Sequence, residues 1–244
     1  MVKRGNKGQV TLFVIIAIII VVLVAGGFFL YKENKTKSQN NVLTIKNYIS
    51  DSIETEVLRN IITVAYQGGY AFPPIDSLST PYYSVGYWVI DNETFYPSIE
   101  ELASNIDFLN YMMGQANLSE VFPDYDLTKG NLESNTTILK DKVLVSINWP
   151  ITIKKGNDIQ TIENFNFQYN LRLGKLYDSA VYSADALSNY TIPDSLPADI
   201  TLNIYLSNTN ASLYELTDTN ENFKIANQSF KFIFASKWKT KIVL

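Results

Sequence analysis

Residues 142–154 read KVLVSINWPITIK, and this stretch decides the fold class. Val143, Val145, Ile147, Trp149, Ile151 and Ile153 alternate with Leu144, Ser146, Asn148, Pro150, Thr152 and Lys154. That two-residue period belongs to a strand with one buried face. Lys155-Gly156-Asn157 turns the chain, and Ile162 to Leu173 answers with Phe165, Phe167, Tyr169, Leu171 and Leu173 on one side. The pair predicts a hairpin over 142–173. Pro150 has no N–H to give to a ladder, so it marks an edge position or a bulge.

Downstream, Leu173-Gly174-Lys175 opens a helix over 174–189, and C-terminal strands follow within 200–242, at Ile200–Leu206, Phe223–Ile225 and Phe230 to Phe234. Lys237, Lys239 and Lys241 read as the basic face of a terminal edge strand, where lysines discourage pairing with other chains. Upstream, Pro97-Ser98-Ile99-Glu100-Glu101 opens a helix over 98–113 with Ile99, Leu102, Ile106 and Leu109 as its buried stripe. A longer helix is predicted over 42–66, with Val42, Ile45, Ile49, Ile53, Leu58, Ile61, Ile62 and Ala65 inward; Gly68-Gly69 caps it and Pro73-Pro74 prevents its resumption. Between these helices, residues 71–97 are rich in aromatics. They either pack on their own sheet or stack on sugars, with Tyr82, Tyr83, Tyr87 and Trp88 as ligand-contact candidates. The expected fold is α+β, a long N-terminal helix leading into a mainly antiparallel sheet.

Val10 to Leu30 contains no charge in 21 residues, VTLFVIIAIIIVVLVAGGFFL. As a helix it spans about 30 Å, the thickness of a bilayer's hydrocarbon core. The chain thus divides into a basic leader (1–9), a transmembrane helix (10–30), a polar juxtamembrane segment (31–41) and an extracellular domain (42–244). A cleavable secretory signal would be shorter and would stop at Ala25-Gly26-Gly27, whereas Phe28-Phe29-Leu30 continue the run. No Pro or Gly separates the run's end from the second helix, so the two are expected to be nearly continuous. Basic residues flank the span about equally and leave its orientation open. Asn-x-Ser/Thr sequons at Asn34, Asn92, Asn117, Asn135, Asn189, Asn210 and Asn227 all follow the span, which favours a cytoplasmic N-terminus and an exported, glycosylated body.

The 244 residues carry a net charge of −4, but the distribution is uneven: the first 40 hold six basic side chains against Glu33, and the rest holds 14 basic and 23 acidic. An acidic body offers no cationic face for nucleic acid. The chain has no histidine and no cysteine, which excludes Ser-His-Asp and Cys-His catalysis, zinc sites of Cys and His, CxxC redox centres and disulfides. Glu100 and Glu101 diverge by about 100° on a helix and suit its dipole rather than a shared substrate. Asp124-Tyr125-Asp126 begins like a calcium loop, but its glycine, Gly130, comes one residue late and position twelve is Asn135. Asp218-Thr219-Asn220-Glu221-Asn222 reads as a polar turn. No catalytic residue, metal or cofactor is expected.

Lys7-Gly8-Gln9-Val10-Thr11-Leu12, followed at once by the apolar run, resembles the class III signal peptide of archaeal type IV pilin-like proteins. The resemblance implies cleavage by a prepilin-type peptidase between Gly8 and Gln9, with the run kept as the stem of a long helix. The family usually has a glutamate at the fifth mature position, which registers subunits in a filament; here that position is Phe13. Gln67-Gly68-Gly69-Tyr70, the Pro-Ser-initiated helix, and Leu173-Gly174-Lys175 with Tyr177-Asp178 are together similar to a family of membrane-anchored archaeal surface proteins that has no assigned activity. The first resemblance implies pilin-like organisation; the second implies an archaeal surface protein with an external α+β domain and implies no activity. The chain is therefore read as a pilin-like surface protein and not as an enzyme. Its expected partners are the lipid bilayer, further copies of itself or other pilin-like subunits, and the peptidase. The alternative is a monomeric receptor or adhesin that binds glycans or another cell. A carboxylate-based exported hydrolase is a remote third reading.

Overall fold

The computed structural model describes residues 38–118, 122–156, 158–206 and 210–238. Gly8, Gln9, the apolar run 10–30, Asn34, Lys239 and Lys241 lie outside the described residues, as do the expected leader and span. Among the described residues, no helix is long and apolar enough to cross a membrane.

The described fold is α+β, with three α-helices and mainly antiparallel sheets. Helix α1 spans Ser38–Tyr66, α2 Ile99–Met113 and α3 Leu173–Ser188, each within a few residues of the period-based expectation. The chain divides into two units after Ile45. Of the first, only 38–45 is described, all of it helix.

In the second unit, the 142–173 expectation becomes β6 (Val143–Lys155) and β7 (Asp158–Tyr169), paired antiparallel. The strands β4 (Asp126–Lys129) and β5 (Glu133–Ile138) share the other edge of β6. Pro150 therefore sits in the central strand of its sheet, not at an edge, and it is tolerated for two reasons. Pairing with β5 ends at Asn148 and pairing with β4 starts at Ile151, so no ladder bond needs its N–H. On the β7 side the register shifts between Asn148 and Ile151, so Trp149 and Pro150 oppose the one residue between Asn164 and Ile162. This is a bulge, which bends a strand and re-aims its side chains. The Pro150 carbonyl still accepts from Gly130 N at 2.7 Å.

The second sheet runs β1-β2-β12-β9-β8, comprising β1 (Ser77–Ser79), β2 (Ser84–Ile90), β12 (Lys231–Lys237), β9 (Ala211–Asp218) and β8 (Ile200–Leu206). The short β3 (Glu93–Thr94) also pairs with β2. Only β2 and β12 are parallel. Lys237 pairs with Ile90 on one side and Ala211 on the other, so β12 is interior at that residue and not the lysine-blunted edge expected from sequence. Lys237 instead forms an ion pair with Asp76 at 2.8 Å. The 3₁₀ turn Glu221–Phe223 and a small hairpin, β10 (Lys224–Ile225) with β11 (Gln228–Ser229), complete the order.

The buried row of α1 is Ile49, Ile53, Val57, Ile61, Val64 and Ala65. Val57 and Val64 take the places expected of Leu58 and Ile62, which are half-buried. The glycine pair ends the helix as predicted: Gly68 and Gly69 have φ of 73° and 87°, and Gly69 N bonds back to Val64 O at 2.8 Å. Helix α2 begins with a complete capping box, Ser98 Oγ accepting from Glu101 N and the Glu101 carboxylate accepting from Ser98 N at 2.7 Å. Glu101 is thereby a capping residue.

Candidate functional site

The aromatic segment packs on its own sheet at two of the four ligand-contact candidates, Tyr87 and Trp88. Trp88 is fully buried, donates Nε1–H to Gly68 O at 2.7 Å and meets the rings of Tyr96, Tyr177, Phe232 and Phe234. Tyr87 is buried, with the Lys237 ammonium 5.5 Å above its ring. Tyr83 is half-buried against Tyr66. Tyr82 alone of the four stands open, at 91% exposure. A sugar platform on Tyr87 and Trp88 is thus corrected: β2 lies between β1 and β12 and is buried on both of its faces from Val85 to Val89, so neither side chain is open to a ligand.

Nearby residues not singled out as ligand contacts form an open groove of about 490 Å³. Tyr70, Phe95, Tyr96 and Pro97 supply its aromatic and apolar side, and Glu101, Ser104 and Asn105 of α2 its polar side. Tyr70 lies so close over β2 that a Cβ on Gly86 would meet its ring at 2.3 Å, and its hydroxyl donates to Phe95 O at 2.9 Å. Asn105 Nδ2 donates to Gly69 O at 3.0 Å. Burial raises the Tyr70 phenol above its ordinary value, and more weakly so does Glu101. The hydroxyl is a neutral donor at physiological pH. Phe95 is 47% exposed. Half-open rings beside amide, hydroxyl and carboxylate groups suit a molecule with an apolar face and several hydroxyls.

Two buried polar clusters were not foreseen. In the first, the Asp107 carboxylate accepts from Ser134 Oγ and Thr136 Oγ1, each at 2.7 Å, and from Thr136 N at 3.1 Å. Asn110 Nδ2 donates to Ser134 Oγ at 3.0 Å, and Asn60 Nδ2 to Asn110 Oδ1 at 2.9 Å. This chain of bonds ties α1 to α2 and β5. Ser134 beside Asp107 has the outline of a nucleophile and base, but three donors already occupy the carboxylate and the contacts hold elements together.

In the second cluster, Arg172 places a bidentate guanidinium on Asp218, with Nε to Oδ2 at 2.7 Å, and reaches Asp199 through Nη1. Lys175 Nζ holds Asp199 at 2.8 Å, and the Phe223 ring lies 4.9 Å from the guanidinium. Arg172 and Asp218 side chains are 7% and 1% exposed, so the pair is desolvated. Asp218 Oδ1 also accepts from Asn220 N, so the polar turn at 218–222 serves this clasp.

Six sequon asparagines, Asn92, Asn117, Asn135, Asn189, Asn210 and Asn227, are exposed. Asn227 and Asn210 have positive φ, at 66° and 55°, as expected of asparagine at tight turns. Asp126 opens β4, on an exposed strand position. Among the described residues, no group of three or more acidic side chains is placed to hold a metal ion. No protein-family model, curated protein or solved structure matches the chain.

Proposed function

We propose that the chain is a single-pass, membrane-anchored surface protein of type IV pilin-like organisation, acting in surface filament assembly or cell-surface structure. The uncharged run of 21 residues, followed within a few residues by a 29-residue helix, carries this reading. The helix then feeds α+β architecture built mainly from antiparallel strands. An exposed apolar stripe on α2, Phe108, Tyr111 and Met112, with Phe72 edge-on to Phe108 at 5.8 Å, supports association with another subunit. The N-terminus is cytoplasmic and the body external in this reading, with the bilayer as the obligatory partner. Prepilin-type peptidase cuts at Gly8-Gln9.

Anchoring is tested by Ile18→Lys. A lysine at the centre of a spanning helix costs about 2.5–3.5 kcal/mol of insertion free energy. Membrane fractionation is expected to show the variant shifted out of the membrane pellet. Unchanged partitioning would contradict the anchor.

The groove around Tyr70 and Phe95 favours a second reading, a membrane-anchored adhesin that binds surface glycans. The half-exposed Phe95 ring beside the polar side chains of α2 supports that reading, whereas Trp88 does not.

A further inference from the structure

Both sheets end in strands that pair on one side only, and the longest of these is β7. Its 12 residues pair with β6 alone among the described strands. Residues 158–168 make no further backbone hydrogen bond to another described segment. A groove of about 360 Å³ runs along this free edge. Residues 161–167 line it without a break, with Lys46 and Ser50 one turn apart on α1 as the opposite lip. Successive side chains of a strand point to opposite faces, so an unbroken run of this kind borders a groove that follows the strand's edge.

An open edge of this length is a template for pairing with another chain, and natural edges are blunted by lysine, proline or a covering element. Asn164-Phe165-Asn166-Phe167-Gln168-Tyr169 contains no charge and no proline. The same stretch is close to symmetric about Asn166. In an antiparallel pair of two β7 strands centred there, Asn166 opposes Asn166, Phe165 opposes Phe167, and Asn164 opposes Gln168. Each pair joins like with like on one face of the sheet. Phe165 and Phe167 oppose Ile147 and Val145 of β6 and share their inward face, whereas Asn164 and Asn166 oppose Asn148 and Ser146 on the exposed one. Phe165 is buried, and Phe167, 6.4 Å from it between ring centroids, is half-buried at the open edge. Neighbouring centres serve less well. Phe165 as centre sets Glu163 against Phe167, and Phe167 as centre shortens the pairing because β7 ends at Tyr169.

We propose that the free edge of β7 is a docking surface for a second copy of this chain, whose own β7 adds antiparallel about Asn166. A two-fold contact needs a patch that complements itself, and this register supplies one. The two sheets become one continuous sheet, and Phe167 of each copy completes its burial against Phe165 of the other. Such a contact closes on two copies. It goes beyond the anchored, pilin-like reading and holds whether or not the chain enters a filament, since it uses neither the apolar run nor the stripe on α2.

The chain has no cysteine, so single cysteines report the register directly. The full chain, solubilised in detergent, carries Asn166→Cys, Asn164→Cys, Gln168→Cys or, on the edge strand β8 as a control, Asn203→Cys. All four positions are exposed, so the fold tolerates the change. Residues directly opposite in an antiparallel pair have Cα atoms about 4.5–5.5 Å apart, within disulfide reach. Asn164 of the two copies would stand about 14 Å apart, beyond it. Mild oxidation is expected to give covalent dimer from Asn166→Cys and almost none from the other three alone. A mixture of Asn164→Cys and Gln168→Cys is expected to give the heterodimer. Adding Phe167→Lys to Asn166→Cys places a charge in the aromatic contact and should abolish the cross-link while the circular dichroism spectrum stays that of the parent. No covalent dimer from Asn166→Cys would overturn the proposal. Equal cross-linking at all four positions, as from collision or contact between apolar runs, would do so too, and so would a folded Phe167→Lys variant that cross-links as its parent does.

Discussion

Arg172→Ala is expected to destabilise the fold by about 3–5 kcal/mol, because it leaves the carboxylate of Asp218 buried without its cation. Urea unfolding followed by circular dichroism reads the loss as a lower midpoint. The arginine stands at the N-terminus of α3 and clasps the ends of β8 and β9, so the break separates a helix from a sheet. Asp218→Ala in the same background should cost much less than it does alone, since the two groups act as a pair. Lysine at 172 should recover only part of the stability, having no fork to match the carboxylate. The neighbouring Asp199 adds a pH dependence. Hydrogen bonds from Arg172 first, and Lys175 second, hold its carboxyl well below the ordinary carboxylate range. A depressed folded value means that this contribution is full above the unfolded value of about 4 and is lost as pH falls below it. The acid limb of the stability profile should therefore be shallower in Arg172→Ala. Equal acid limbs in variant and parent would contradict the role given to the pair.

Trp88→Ala should cost about 3–5 kcal/mol. The substitution empties a site bounded by Tyr96, Tyr177, Phe232 and Phe234 and leaves Gly68 O without its donor. It removes the ring on which β2, β12 and α3 converge. Thermal unfolding of the solubilised chain reads the effect, and a loss below 1 kcal/mol would contradict the packing described. A Trp88 variant cannot therefore report on sugar binding without also reporting on folding. Phe95, half-open on the groove, is the residue whose replacement separates the two.

Sequence periodicity reached the elements whose inward positions are mostly apolar. The β6–β7 hairpin and all three helices belong to that class, and the proline in β6 announced its bulge through the missing N–H. β9 went unread because its inward row, Ser212, Tyr214, Leu216 and Asp218, mixes polar with apolar groups. Those polar groups are paid for elsewhere, Asp218 by Arg172, 46 residues away in sequence. Asn110 failed to register for the same reason. It is fully buried where Leu109 was expected, because Asn60 and Ser134 satisfy its amide. The parallel pairing of Tyr87 with Ala235 has no local signature at all. Aromatic content alone likewise did not separate Trp88, in the core, from Phe95, on a groove; that difference depends on which strand edge is covered.

The most direct test of pilin-like organisation is the mature N-terminus, read by mass spectrometry on protein purified from its native membrane. The proposal predicts a chain beginning at Gln9, cut after Gly8 with the apolar run retained. A chain beginning at Met1 or Val2 would contradict prepilin-type processing and leave a plain anchor. One beginning near Gly27 or Phe28 would contradict the anchor as well.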